Sequence, residues 1–270
     1  MQERVNAVWK DVENIRNENP LVHNITNYVV MNVTANALLA IGASPVMAHA
    51  HEEAAEMVRL AKALVINIGT LSEAWVASMK LAMAAADRLG VPIVLDPVGA
   101  GATGYRTRVA SELLGTAPVR LIRANASEIL ALAGTVGRTR GVDSLADSAD
   151  AAEAARKLCS RFGCTVCVSG AIDWIVANDR EVKIFNGHPL MSRVTGMGCS
   201  ASALCGAFVA VNPDAASAAT SAMAVMGIAG EIAAGQAPGP GSFVPHFLDA
   251  LYGMRQETIV GRIRAEEQRN

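Results

Sequence analysis

The feature that most constrains this chain is a set of short apolar runs with almost no polar residue on either face. They are Ala63-Leu-Val-Ile-Asn-Ile68, Pro92-Ile-Val-Leu-Asp96, Arg120-Leu-Ile-Arg-Ala-Asn125 and Thr165-Val-Cys-Val-Ser169. A strand with one wet face alternates apolar and polar residues; a strand covered on both faces does not. Helical periodicity fills the intervals, over residues 1–16, 28–41, 52–62, 72–89, 146–162, 215–234 and 243–254, with a further helix opening at Ser127. Pro20-Leu-Val-His-Asn-Ile-Thr-Asn27 reads as a short strand and an amide-rich loop, and Ser44-Pro-Val-Met-Ala48 as another short strand. Runs at 174–177 and 182–185 flank Asn178-Asp179 and predict a hairpin. Such alternation predicts an α/β fold in three layers, α/β/α, with a mostly parallel central sheet. No linker divides the chain, so residues 1–270 are expected to form a single domain. The charged tail after Ile259 is expected to fray.

Half of the residues are apolar (51%), enough for a large core, and the net charge is −2 with no long basic run. That balance argues against a nucleic-acid surface. The first sixteen residues are charged throughout, unlike a secretory leader. Residues 194–213 lack charge over a membrane-like length, but Gly, Ala, Ser and Cys dominate, which favours a close-packed buried helix. Five cysteines, an odd number, suggest reduced thiols and a cytoplasmic protein. Cys164 and Cys167 fall across a strand, where residues three apart face opposite ways, so both read as small core residues.

Arg193-Val-Thr-Gly-Met-Gly-Cys-Ser-Ala-Ser202 carries two glycines directly before the uncharged run. The first turn of a helix has N–H groups without internal partners, and glycine lets an anion approach them. This turn, with its glycines Gly196 and Gly198, is a candidate phosphate cradle with Cys199 placed at its centre; a plain tight turn before a core helix would use the same glycines. Ligands of parallel sheets bind beyond the carboxyl ends of the strands. Standing there are Met47, Gly69, Asp96, Asn125, Ser169 and the Gly196 turn. Asp96 either caps its own turn or addresses a metal or phosphate. Asn125-Ala-Ser-Glu128 has capping-box spacing, and it also puts Glu128 where a magnesium ion could be held through water. Arg123 lies in an otherwise apolar strand and needs a partner: a phosphate, Asp96 or Glu128. His49 and His51 would share a face of the preceding strand, but no third histidine or cysteine stands near, which favours a solvated loop.

Five motifs occur in a familiar order: Pro20-Leu-Val-His-Asn-Ile-Thr-Asn27, Ser44-Pro-Val-Met47, Leu95-Asp-Pro-Val-Gly-Ala100, Asn125-x-x-Glu128 and Thr195-Gly-Met-Gly-Cys199. Together they resemble the hydroxyethylthiazole kinases of the ribokinase-like superfamily, over nearly the whole chain. The resemblance implies a ribokinase-like fold and an ATP- and Mg²⁺-dependent kinase of thiamine salvage. Its substrate would be the hydroxyl of 4-methyl-5-(2-hydroxyethyl)thiazole. It also implies a homotrimer with active sites between subunits, and no membrane or nucleic-acid partner.

By family position, Asn27, Met47 and Gly196 would hold the thiazole. Arg123, Ser169 and Gly198 would meet ATP, and Asp96 and Glu128 would organise magnesium. Cys199 would stand where most superfamily kinases carry an aspartate base, as a proton acceptor or as a group that positions the hydroxyl. Met197 stands where the family often has Thr, and Ser169 where Thr is common. Two other classes compete: a dehydratase of hydrated nicotinamide nucleotides, and a non-catalytic thiazole or nucleotide sensor.

Overall fold

Side chains along a strand alternate between its two faces, and in this protein both faces are covered. Val65, Val94, Leu121 and Cys167 enter one core; their neighbours Leu64, Ile66, Ile93, Leu95, Ile122 and Val166 enter the other. The computed structural model describes residues 2–134 and 144–269. In chain order the elements are α1 (Gln2–Glu18), β1 (Leu21–Ile25), α2 (Met31–Ile41), β2 (Ser44–Val46), α3 (His51–Val58), β3 (Ala63–Asn67) and α4 (Glu73–Leu89). Then come β4 (Ile93–Asp96), α5 (Gly104–Leu114), β5 (Leu121–Asn125), α6 (Ala126–Leu132), α7 (Ser144–Phe162), β6 (Thr165–Ser169), β7 (Asp173–Val176) and β8 (Arg180–Ile184). A 3-10 turn (Pro189–Arg193), α8 (Met197–Val211), α9 (Ala215–Gln236), α10 (Pro240–Tyr252), α11 (Gln256–Arg262) and β9 (Ala265–Arg269) complete the chain.

Among the described residues all nine strands join one sheet in the order β2-β1-β3-β4-β5-β6-β7-β8-β9. The pairings from β2 to β6 are parallel and those from β6 to β9 antiparallel. Helices α1, α2, α8, α9, α10 and α11 cover one face; α3 to α7 cover the other. The expected three-layer α/β/α fold is therefore observed. Helix α8 packs closely on the sheet: a Cβ on Gly206 would fall 2.5 Å from Cγ2 of Val65 and 3.0 Å from Cγ1 of Val22. Helix α9 is long and apolar enough to cross a membrane, yet 78% of its most apolar window is buried inside the protein.

Four local expectations are corrected. The tail does not fray: Ala265–Arg269 adds an antiparallel edge strand to β8, with Arg4 paired to Glu267 at 2.8 Å. No element is expected between Pro97 and Arg120, yet α5 forms there, its start capped by the Thr103 hydroxyl accepting from the Arg106 N–H. A Gly-Tyr-Arg-Thr-Arg opening has weak helical propensity, so the cap and the buried contacts of Val109, Ala110 and Leu113 carry it. Helix α2 starts at Met31, after a turn that leaves Tyr28 exposed. Strand β2 ends at Val46, so His49 sits in a loop and His51 opens α3; the two do not share a strand face. Instead His49 packs 4.5 Å from the Trp75 ring. Cys164 and Cys167 do fall in opposite cores.

Candidate active site

Strand parity assembles the site. Counting by twos from Val65, Val94 and Cys167 puts Asn67, Asp96 and Ser169 on the face that carries α8, and the same count from Leu121 puts Arg123 there. Register aligns them, Asn67 opposite Asp96 and Arg123 opposite Cys167. Helix α8 then delivers its first turn onto these strand ends.

A continuous polar chain runs across the strand ends. Nδ2 of Asn27 donates to Oδ1 of Asn67 at 2.8 Å and lies 3.4 Å from Sγ of Cys199. Nδ2 of Asn67 donates to Oδ2 of Asp96 at 2.8 Å. The Ser202 hydroxyl, one turn into α8, donates to the same oxygen at 2.7 Å. Nη1 of Arg123 stands 3.9 Å from it, and Nη2 donates to the Ser169 hydroxyl at 2.5 Å. The Arg123 partner is thus Asp96, with Ser169 beside it. Asp96 is 1% exposed, and its buried Oδ1 has no hydrogen-bond partner among the described residues. Burial pushes its carboxyl up to about 6, with the nearby Glu128 charge adding to the rise; Arg123, Ser202 and Asn67 pull the other way.

The glycine turn is built against this arginine. Gly196 caps α8 with φ 88°, and a Cβ there would also meet Val33 of α2 and Val30, the residue just before that helix. A Cβ on Gly198 would fall 2.9 Å from Nη1 of Arg123. A cavity of about 700 Å³ opens here, lined by Arg123, Ser169, Gly196, Gly198, Met223 and Met226 among others. Asn27, Cys199 and Asp96 stand outside this lining. Met47 follows β2 at the same end of the sheet, half-buried. A larger groove of about 860 Å³ lies along β8 and β9, but its arginines are taken up by acids, Arg4 by Glu267, Arg180 by Asp214 and Arg264 by Glu231.

Burial pushes the Cys199 thiol up and the Asp96 charge adds to this, against smaller pulls from Asn67 and Asn27. The lowering that a helix N-terminus alone would give is overridden.

Glu128 completes the capping box on Asn125: its Oε2 accepts from the Asn125 N–H at 2.9 Å, and Oδ1 of Asn125 accepts from the Glu128 N–H at 3.0 Å. Its Oε1 accepts from the Gly99 N–H at 2.8 Å. Among the described residues no three His, Cys, Asp or Glu side chains form a metal cluster. Magnesium commonly takes one or two carboxylates and fills its shell with phosphate and water. The unpartnered Oδ1 of Asp96 and the Glu128 charge fit that pattern.

Two site residues have no counterpart among the sequence expectations: Asn67, which links Asn27 to Asp96, and Ser202. An asparagine inside a continuous apolar strand was the available signal for the first. Ser202 is hidden within the uncharged helix.

The sequence profile of the Hydroxyethylthiazole kinase family matches residues 12–257. The chain is 59% identical to the hydroxyethylthiazole kinase of Syntrophus aciditrophicus over 266 residues, covering 98% of each protein. It is 54% identical to that of Nitratidesulfovibrio vulgaris over 257 residues, covering 95% of this chain and 96% of the relative. The structure of the hydroxyethylthiazole kinase protein from Pyrococcus horikoshii OT3 superposes with a TM-score of 0.90 at 47% identity, covering 97% of this chain and 98% of that one. A pyridoxal kinase from Staphylococcus aureus, solved with AMP-PCP and pyridoxal, shares the fold at a TM-score of 0.59 and 14% identity, over 79% of this chain and 88% of its own.

Proposed function

The chain belongs to the hydroxyethylthiazole kinase family, and we propose from its site how it moves the terminal phosphoryl group of ATP onto the hydroxyl of 4-methyl-5-(2-hydroxyethyl)thiazole, a step of thiamine salvage. It is a kinase with a ribokinase-like fold. The reading rests most on one observation: the Cβ-free turn at Gly198 and the Arg123 guanidinium lie against each other in the wall of one cavity.

Phosphoryl transfer needs positioning and charge neutralisation more than covalent help. The phosphates would lie on the first N–H groups of α8, at Gly198 and Cys199, with Arg123 and Ser169 on the other side. Asp96 and Glu128 would hold Mg²⁺, which neutralises phosphate charge when bound. The thiazole would lie beyond Gly198, against Asn27, Met47 and Gly196. Cys199 then faces the attacking hydroxyl. A thiol pushed up by burial keeps its proton at neutral pH, so Cys199 orients the hydroxyl together with Asn27. In a loose transition state the hydroxyl proton leaves late, when oxygens of the transferred group can accept it.

The whole chain would act as one cytoplasmic kinase domain. We propose a homotrimer with sites between subunits, a reading supported by the exposure of Tyr28 (65%) and Val29 (63%) directly after Asn27, which fits a surface that a second copy covers. Specific activity falling on dilution below the assembly threshold is the expected result; full activity in a demonstrated monomer would remove the idea.

The deciding experiment supplies purified protein with ATP and Mg²⁺, and with the thiazole alcohol, a hydrated nicotinamide nucleotide or neither. Mass spectrometry should find phosphorylated thiazole only with the first. ATP turnover with the hydrated nucleotide alone would indicate the dehydratase, and binding without turnover a sensor.

A further inference from the structure

We infer that Arg106 is a positioning residue of the phosphoryl-transfer site: its guanidinium ties together the two strand-end turns that carry Asn67 and Asp96. This rests on the kinase reading above. Arg106 is the third residue of α5, half-buried, and its backbone N–H is held by the Thr103 hydroxyl. Its Nη1 donates to the carbonyls of Ile68 at 2.9 Å and Val98 at 2.7 Å. Its Nη2 donates to the Gly69 carbonyl at 2.7 Å. These carbonyls lie just past β3 and β4 and belong to two separate turns. Among the described residues no carboxylate pairs with this arginine. Its planar fork is spent on backbone carbonyls, a use that the compact lysine ammonium cannot copy.

Each turn that Arg106 holds is also wired to the site. In the turn after β3, the Gly69 N–H donates to Oδ1 of Asn67 at 3.0 Å, the same oxygen that receives Asn27. In the turn after β4, the Gly99 N–H donates to Oε1 of Glu128 at 2.8 Å. Gly99 also makes room for the clamp: its φ is +76°, and a Cβ would fall 2.9 Å from Cδ of Arg106. Each turn is therefore gripped on its carbonyls by Arg106 and on an amide by a site side chain. Removing the grip on the carbonyls lets the two turns shift relative to each other. Asn67 and Asp96 would then lose their common register, together with the Asn27–Cys199 contact that hangs from it. Displacements of about 1 Å near a phosphoryl-transfer centre cost about 100-fold in rate.

The test uses the full chain with Arg106→Ala and Arg106→Lys, the Lys variant deciding if the Ala variant does not fold. Both should lose about 100-fold in kcat at saturating ATP and thiazole, with melting temperatures near native. Added guanidinium ion at non-denaturing concentration should restore Arg106→Ala about tenfold, and methylammonium should not. Amide exchange at Gly69 and Gly99 should quicken in the variants and slow again with guanidinium. A kcat within about threefold of native in a folded variant, or unchanged exchange at both glycines, would overturn the assignment. The exchange measurement needs no turnover, so Arg106 is decided even if the native protein does not phosphorylate the thiazole alcohol.

Discussion

A Cβ on residue 198 would sit 2.9 Å from Nη1 of Arg123, so the glycine at the head of α8 and the arginine in the middle of the sheet occupy one another's space. Arg123 is nearly buried, and its Nε has no hydrogen-bond partner among the described residues. It cannot retreat without leaving a charge in the core. Gly198→Val should therefore displace the guanidinium from the cavity wall and lower kcat/KM for ATP by about 100-fold, with the fold retained by circular dichroism. A near-normal rate in a folded variant would take the turn out of the mechanism.

Cys199 offers a sharp comparison. Its thiol is pushed up by burial and by Asp96, so it stays protonated through neutral pH. Cys199→Ser keeps a small donor at the same place and should hold kcat within about threefold of native, with an unchanged pH profile. Cys199→Asp adds a second charge beside Asp96 and should be slower. Single-turnover rates across pH settle this; an Asp variant faster than native would make residue 199 a proton acceptor.

Asp96 predicts a pH effect on stability in the ligand-free protein. Its carboxyl is raised from an unfolded value near 4 to about 6, mainly by burial. The folded state therefore binds its proton more tightly than the unfolded state does. The stability this confers is fully present below pH 4 and is lost as pH rises through 6, on the order of 3 kcal/mol. Asp173, also raised to about 6 by burial, acts with the same sign. Melting scans from pH 4.5 to 7.5 should show this downward component, and Asp96→Asn should remove about half of it while abolishing turnover. An unchanged slope in the variant would show that Asp96 titrates normally.

Glu128→Gln separates capping from metal handling. Glutamine has one acceptor oxygen, so it can serve Gly99 or Asn125 but not both, costing about 0.5–2 kcal/mol of stability. If the charge also helps to hold magnesium, activity should fall further and saturate at higher Mg²⁺. Wild-type magnesium dependence in the variant would leave Glu128 as a cap alone.

The sequence by itself determined the layers and the end of the sheet where the candidate site residues stand. Runs such as Ala63-Leu-Val-Ile are apolar on both faces only if both faces are covered, and Gly196 and Gly198 announce a tight helix start through local backbone demands. Asp96, Arg123 and Ser169 were legible because polar residues at the ends of buried strands stand out. Their pairing was not: Arg123 could have met Glu128, Asp96 or a phosphate, and the choice depends on which strands are neighbours. The same holds for Asn67, whose two amide contacts reach back to Asn27 and forward to Asp96, and for Arg106, whose three acceptors lie in turns 8 to 38 residues away. Strand β9 and helix α5 also needed the tertiary structure. A charged edge strand exists only because β8 offers it a ladder, and a weak helix only because a core receives one of its faces. Local sequence specifies what a residue can do, and long-range strand order decides which partner it does it with.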